Sequence, residues 1–409
     1  MNAAAPALAA PGRATAVLAI CFAVAAFEGY DIQTLGIAAS RLGPALHLSL
    51  PLIGFAASAT MAAMGVGALI GGWLADRIGL KRVLIASVSL FGAAMFATLA
   101  VRDGPSLILA RLFTGLGMGG AMPNLIAMAA EVSPLPRRSR AITSVSVGLP
   151  VGAALCSLID HQGLGGADWK GLFLIGGLAT LPAIPLAAWL LPNARAPERS
   201  ARSPAFHLFR EGRWPASVLL WIAIGLTMTI LSVFTTWLPT LVVHKGLPRQ
   251  DGSLAALVFN LVGVSGGLSL GWLIDRAGFR GPLVTVFIGL VAAAGLLAVA
   301  SGLAPLLAGA GLAGFMIVGA QFGLYAIFPQ YYPPDGRSTG SGAGVAAGRV
   351  GSVVGPSVAG LLLGHGAVAG QVLAALIPSA IGAGLTVWVL WRVARPFSAE
   401  AAGPVVPLL

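Results

Sequence analysis

Runs of about twenty apolar residues, bounded by charges, proline and glycine, recur from one end of this 409-residue sequence to the other. Wound as a helix, a run of that length matches the hydrocarbon thickness of a bilayer. Lipid tolerates only chain conformations that satisfy their own backbone polar groups. The pattern therefore predicts an all-α polytopic membrane protein. Composition points the same way, because 57% of the residues are hydrophobic and only 9% charged, whereas a soluble domain carries roughly 25% charged residues. Too little polar surface is left to cover a globule in water, which excludes disordered, collagenous, disulfide-scaffold and ordinary soluble-enzyme classes. The first run carries Glu28 and Asp31 and is as long as a span, so it reads as a retained helix and not a cleavable signal. Cys21 and Cys156 lie inside apolar runs and read as core. The five histidines fall in loops or near helix ends without metal-ligand spacing, so no metal or other cofactor is expected.

Twelve spans are expected, at about 14–39, 50–75, 83–101, 106–130, 141–159, 171–191, 215–241, 252–274, 282–302, 305–329, 339–363 and 370–392. The longest polar stretch, 192–214, holds Arg195, Arg199, Arg202, Arg210 and Arg213. The predicted organisation is a six-helix unit over 1–191, a linker over 192–214, a second six-helix unit over 215–392 and a tail over 393–409. An even number of spans places both termini on one side. Seventeen basic residues fall on that side, and five on the other, namely Arg41, Arg102, Lys170, Lys245 and Arg249. Basic residues concentrate in cytoplasmic loops, so both termini are expected in the cytoplasm. The same asymmetry accounts for the net charge of +11 without a nucleic-acid partner. Arginine supplies 21 of the 24 basic residues, a usage associated with GC-rich bacterial genomes, so the membrane expected is a bacterial inner membrane.

The halves repeat one another. Gly72-Trp73-Leu74-Ala75-Asp76-Arg77-Ile78-Gly79 returns 199 residues later as Gly271-Trp272-Leu273-Ile274-Asp275-Arg276-Ala277-Gly278, and Arg138-Ser139 returns as Arg337-Ser338 in the same register. A duplicated six-helix unit is the organisation in which transporters place a site between halves. The stretch Gly72-x-Leu74-Ala75-Asp76-Arg77-x-Gly79-x-Lys81-Arg82 resembles the loop between the second and third helices of the major facilitator superfamily, with Leu80 at a slot where arginine is common. Arg111-Leu112-Phe113-Thr114-Gly115-Leu116-Gly117 is similar to that superfamily's fourth-helix element. Three further stretches resemble its aromatic acid:H+ symporters: Glu28-Gly29-Tyr30-Asp31-Ile32-Gln33, Gly119-Gly120-Ala121-Met122-Pro123-Asn124 leading to Glu131, Arg137 and Arg138, and Gly348-Arg349-Val350-Gly351 followed by Gly355-Pro356. Glutamate at position 28 resembles the hydroxyphenylpropionate carriers of that group. The resemblance implies two pseudo-symmetric six-helix bundles, alternating access, a proton gradient in place of a cofactor, and a monomer.

Ionisable groups within spans cost a few kcal/mol and need a reason. Glu28 and Asp31 are three apart, on one face of the first helix, and two carboxylates in low dielectric suit a proton carrier; the plainer reading pairs them with Arg111 as helix glue. Arg111 reads as lying near the outer end of the fourth span, close enough to the interface to snorkel, and the resemblance gives it a coupling role with Asp31. Arg349 sits about 15 Å into the eleventh span, and the second half's spans contain no acidic residue. A planar guanidinium matches a carboxylate, so Arg349 awaits either an organic anion or Glu28 or Asp31 across the interface. Candidate lining residues for an aromatic ligand are Phe27, Tyr30, Gln33, Asn124, Phe234, Trp237, Asn260, Gln321 and Tyr325, each of which is also a plausible packing residue. Gly72, Asp76, Arg77, Gly79, Lys81, Arg82, Glu131, Arg138, Asp275 and Arg276 read as gate and packing positions.

The function this implies is proton-coupled import of an organic monocarboxylate, an aromatic acid such as benzoate, hydroxybenzoate or hydroxyphenylpropionate. The alternatives are an efflux antiporter, or a symporter of another small organic anion or a neutral solute. Antiporters of the superfamily carry Gly-Pro-x-x-Gly-Gly in the fifth helix, where this chain has Leu149-Pro150-Val151-Gly152-Ala153, and a neutral substrate leaves Arg349 without a purpose. No catalytic cluster suggests an enzyme.

Overall fold

The computed structural model describes residues 11–134, 137–193, 214–332 and 337–394. The five linker arginines, the tail beyond residue 394 and the side chain of Arg337 lie outside the described residues. Twelve helices are long and apolar enough to cross a membrane: α1 (Gly12–Ala45), α2 (Leu50–Ile78), α3 (Leu80–Thr98), α4 (Gly104–Glu131), α5 (Arg140–His161), α6 (Lys170–Leu190), α7 (Trp214–His244), α8 (Arg249–Ala277), α9 (Arg280–Val299), α10 (Leu303–Tyr331), α11 (Gly340–Gly364) and α12 (Ala369–Val393). Among the described residues there is no strand. Large apolar side chains such as Leu69, Ile288 and Val350 stay exposed, as expected of a surface that meets lipid.

Local chemistry explains where helices start and break. Asp103 caps α4 by accepting from the Ser106 N–H at 2.9 Å, while the Asp103 N–H donates back to Ser106 Oγ at 3.2 Å, the reciprocal bonding of a capping box. The helical ladder is interrupted at Val147 in α5, near Leu181 in α6 and at Ala375 in α12. Each break lies just before Pro150, Pro182 or Pro378, whose rings lack an N–H and crowd the carbonyl four residues earlier.

Packing follows the sequence repeat. In the first half α2 packs on α4, α3 on α4, α1 on α5 and α3 on α6; in the second, α8 packs on α10, α9 on α10, α7 on α11 and α9 on α12. Between the halves α2 meets α11, α5 meets α8 and α1 meets α7, so the repeat carries one interhelical contact onto the other. Helices approach closely where side chains vanish: a Cβ built at Gly29 would fall on the Leu149 backbone, and one at Gly152 on the Ala26 backbone, as small-residue packing in membranes requires.

The repeated loop motif is repeated geometry. Gly79 ends α2 with φ 92° and Gly278 ends α8 with φ 73°, their N–H groups donating to Ala75 O and Ile274 O. These left-handed conformations are why glycine stands at both positions. Two residues before each glycine the arginine stacks on a tryptophan, Arg77 over Trp73 at 3.8 Å and Arg276 over Trp272 at 4.0 Å.

Candidate substrate and proton site

Glu28 and Asp31 lie one turn apart on α1, and the fold treats them differently. Arg111 Nη1 on α4 donates to Asp31 Oδ1 at 3.2 Å and Oδ2 at 3.1 Å. Its Nη2 donates to Thr98 Oγ1 at 2.7 Å, and the guanidinium lies 5.1 Å from the Phe173 ring. Arg111 is only 1% exposed, which corrects the expectation that it snorkels: it turns inward because Asp31 and Thr98 supply polar partners in the bundle. A buried pair of this kind contributes little net stability, yet removing one partner is costly.

Glu28 is fully buried, and neither carboxylate oxygen has a hydrogen-bond partner. The cation whose charge acts on it is Arg349, on α11 across the interface, itself half-buried. A desolvated carboxyl without partners has to be satisfied by a proton or by a cation.

Between these groups runs the seam of the two halves. A cavity of about 10 Å³ is lined by Asp31, Ile32, Leu35, Thr60, Arg111 and Thr236, among others; that volume is room for one water. Gln33 Nε2 donates to Thr235 O at 3.3 Å, and Asn260 Nδ2 donates to Gln33 Oε1 at 3.2 Å. Two residues picked out as ligand-lining are thus brought together, from α1 and α8. Gln321 Nε2 donates to the Tyr325 hydroxyl at 3.3 Å on the half-buried face of α10.

Three candidates are spent inside their own halves. The Tyr30 hydroxyl donates to Leu172 O at 3.1 Å, Asn124 Nδ2 to Gly120 O at 2.7 Å, and Trp237 Nε1 to Pro356 O at 3.0 Å. Each satisfies a buried carbonyl, a packing contact in this conformation. Phe234 stacks on Phe259 at 5.6 Å, and Phe27 packs against the core. Of the gate positions, Arg138 Nε donates to Ala130 O at 3.0 Å, next to Glu131.

Sequence reasoning missed Asp160. One residue past the expected fifth span, it is fully buried at the end of the spans opposite the termini, hereafter the distal end. Arg41 Nη2 on α1 bonds it at 2.6 Å, Arg249 Nε on α8 lies 3.9 Å away, and Ser253 Oγ on α8 donates to it. The usable signal was three charges, Arg41, Asp160 and Arg249, at the same end of three different spans. Further bonds cross the halves in the same distal region: Ser58 Oγ to Val353 O at 2.5 Å, Ser357 Oγ to Ser58 Oγ at 2.7 Å, and His161 Nδ1 with Gln250 O at 3.0 Å.

The sequence pattern of the Major Facilitator Superfamily matches residues 21–324. The chain belongs to that superfamily. It is 36% identical over 375 residues to the 3-(3-hydroxy-phenyl)propionate transporter of Escherichia coli (strain K12), covering 91% of this chain and 93% of that protein. It is 31% identical to the gallate transporter of Pseudomonas putida, with 86% of each chain covered. The crystal structure of the nucleoside transporter NupG superposes with a TM-score of 0.78 at 13% identity, covering 93% of this chain and 99% of that one; at that identity the likeness concerns the fold. This superfamily member is a multi-pass membrane protein of a transporter family, not an enzyme, and its two-half architecture is the superfamily's.

Proposed function

We propose that this protein imports an aromatic monocarboxylate together with protons, by alternating access, as a monomer in a bacterial cytoplasmic membrane with both termini in the cytoplasm. The observation that carries the reading is Glu28, a fully buried carboxyl with no hydrogen-bond partner, acted on by Arg349 from the other half and one turn from the Asp31–Arg111 pair. A proton on Glu28 removes the charge that acts on Arg349, and the carboxylate of the substrate supplies the negative partner instead, giving the guanidinium the planar group it matches. The ring lies against Tyr325 and Gln321. With charges neutralised the halves rock, and loss of the proton to the cytoplasm returns Glu28 to Arg349 and expels the anion. Asp31 gates the step by holding or releasing Arg111. The relatives support the substrate class, since both are transporters named for hydroxylated aromatic acids. The distribution of basic residues supports the orientation.

The test is uptake into proteoliposomes of labelled benzoate, 4-hydroxybenzoate, 3-(3-hydroxyphenyl)propionate, lactate and glucose under an inward proton gradient, repeated with a protonophore. Accumulation of an aromatic acid that collapses with the protonophore is the expected result. Gradient-independent movement, or uptake of glucose alone, overturns the proton and anion assignments.

A further inference from the structure

Arg280 opens α9 and Arg392 lies in the last turn of α12, a helix that packs against α9. Both arginines stand at the end of the spans that carries the termini, and each heads an apolar stripe. On α9, Val284 and Ile288 follow Arg280 at intervals of four; on α12, Ile381, Leu385 and Trp388 lead to Arg392 at intervals of four, three and four. Side chains so spaced share one helix face. All of them are exposed, so on each helix a cation sits above a strip of side chains that meets lipid.

Aromatic rings fix the two cations. The Arg280 guanidinium lies 6.0 Å from the Trp391 ring of α12, and that of Arg392 lies 4.9 Å from the Trp388 ring, distances at which a ring face attracts a cation. Tryptophan favours the depth of the lipid headgroups. No ion pair among the described residues holds Arg280 or Arg392. Helices α9 and α12 contain no acidic residue, and the nearest one along the chain, Asp275, precedes Arg280 by five positions. Tyr331 of α10 adds a buried hydroxyl: the residue is 4% exposed, makes no hydrogen bond among the described residues and feels the charge of Arg280.

The two halves differ here. In the 199-residue register Lys81 corresponds to Arg280 and Trp189 to Trp388, but Pro192 and Asn193 stand where the second half has Trp391 and Arg392. The second arginine and its neighbouring tryptophan therefore belong to the second half alone.

We propose that this face of α9 and α12 binds one anionic phospholipid of the phosphatidylglycerol class. Arg280 and Arg392 donate to the headgroup phosphate, a group that guanidinium matches well, and the Tyr331 hydroxyl is a third donor. The acyl chains lie along the two apolar stripes. Basic pockets between membrane helices complement anionic headgroups, whereas a zwitterionic lipid brings its own cation to the same phosphate and neutralises the arginines less. The site lies away from the seam of the halves and does not depend on the import reading.

Native mass spectrometry tests this on the full chain in detergent, offered equal amounts of phosphatidylglycerol and phosphatidylethanolamine. The parent is expected to retain one phosphatidylglycerol, at least about tenfold in preference to the zwitterionic lipid. Arg280→Gln/Arg392→Gln is expected to lower that retention at least about tenfold, the loss of about one hydrogen bond between charged groups. Arg102→Gln/Lys170→Gln, which removes the same charge at the distal end, is expected to retain the lipid as the parent does. Should the arginine variant not accumulate, Tyr331→Phe takes its place, with a fall of about three- to tenfold. Equal retention of the two lipids by the parent, unchanged retention in the variant, or an equal fall in the distal control overturns the site. In parallel, phosphatidylglycerol is expected to raise the unfolding midpoint of the parent, and glycerol phosphate at the same concentration to leave it in place. An equal rise with glycerol phosphate overturns the lipid in favour of a small phosphate ligand.

Discussion

Arg41 Nη2 lies 2.6 Å from Asp160 Oδ1, and the same carboxylate accepts from Ser253 in the other half of the protein. One buried acid thus ties α1, α5 and α8 together at the distal end. Asp160→Ala leaves two guanidinium groups without their carboxylate and is expected to cost about 3 kcal/mol, the usual penalty for breaking a buried pair from one side. Asp160→Asn, which keeps an acceptor for Ser253, costs less. Thermal unfolding in detergent reads both, and equal midpoints for parent and Asp160→Ala refute the latch.

The Asp31–Arg111 pair is a second buried pair, and a double-mutant cycle separates its halves. Asp31→Asn and Arg111→Gln each strand a partner, and the double variant is expected to recover most of the lost stability, with a coupling of about 1–3 kcal/mol. In transport, Asp31→Asn should stop pH-driven accumulation while retaining exchange of substrate across the membrane. Concentrative uptake by Asp31→Asn places the proton elsewhere.

Arg349→Gln removes the guanidinium offered to the substrate. Losing a hydrogen bond to a charged group costs about 1.5–3 kcal/mol, a rise of about ten- to a hundredfold in KM, with expression near that of the parent. Unaltered affinity in a binding titration removes Arg349 from the site.

Gly79 and Gly278 occupy the left-handed region at equivalent ends of α2 and α8. Gly79→Ala and Gly278→Ala should each destabilise by about 1 kcal/mol, additively because the sites are far apart in the repeat. Insensitivity of the unfolding midpoint to either change means that the motif glycines are not there for their conformation.

Hydrogen bonds from Ser106 hold the Asp103 carboxyl below the ordinary carboxylate range. Its contribution to stability is therefore present above the unfolded-state value, about 3.9, and is lost as the pH falls through the lower folded-state value. The gap in unfolding midpoint between the parent and Asp103→Asn should be open at neutral pH and close in strong acid; a gap independent of pH rules out the charged cap.

The sequence by itself determined the class of this protein. Span length, the basic asymmetry of the loops and the 199-residue repeat are local or periodic quantities, and they locate twelve helices and single out Glu28, Asp31 and Arg349 because lipid makes any charge within a span conspicuous. Span ends were less legible: α1 runs past residue 39 to Ala45, and its last turns carry Arg41 to Asp160, a partner 119 positions away. The partners themselves were decided by the tertiary structure. Helical spacing places Glu28 and Asp31 on one face, but only the packing of α4 gives Arg111 to Asp31 and leaves Glu28 without a hydrogen bond. Tyr30, Asn124 and Trp237 have the chemistry of ligand residues, yet a buried carbonyl stands nearer to each. Asp160 lies one residue beyond the expected fifth span, and it is the packing of α8 on α5 that buries it. Which polar group meets which depends on how each helix is turned about its axis, and that angle is set by the close packing of neighbours distant in the chain.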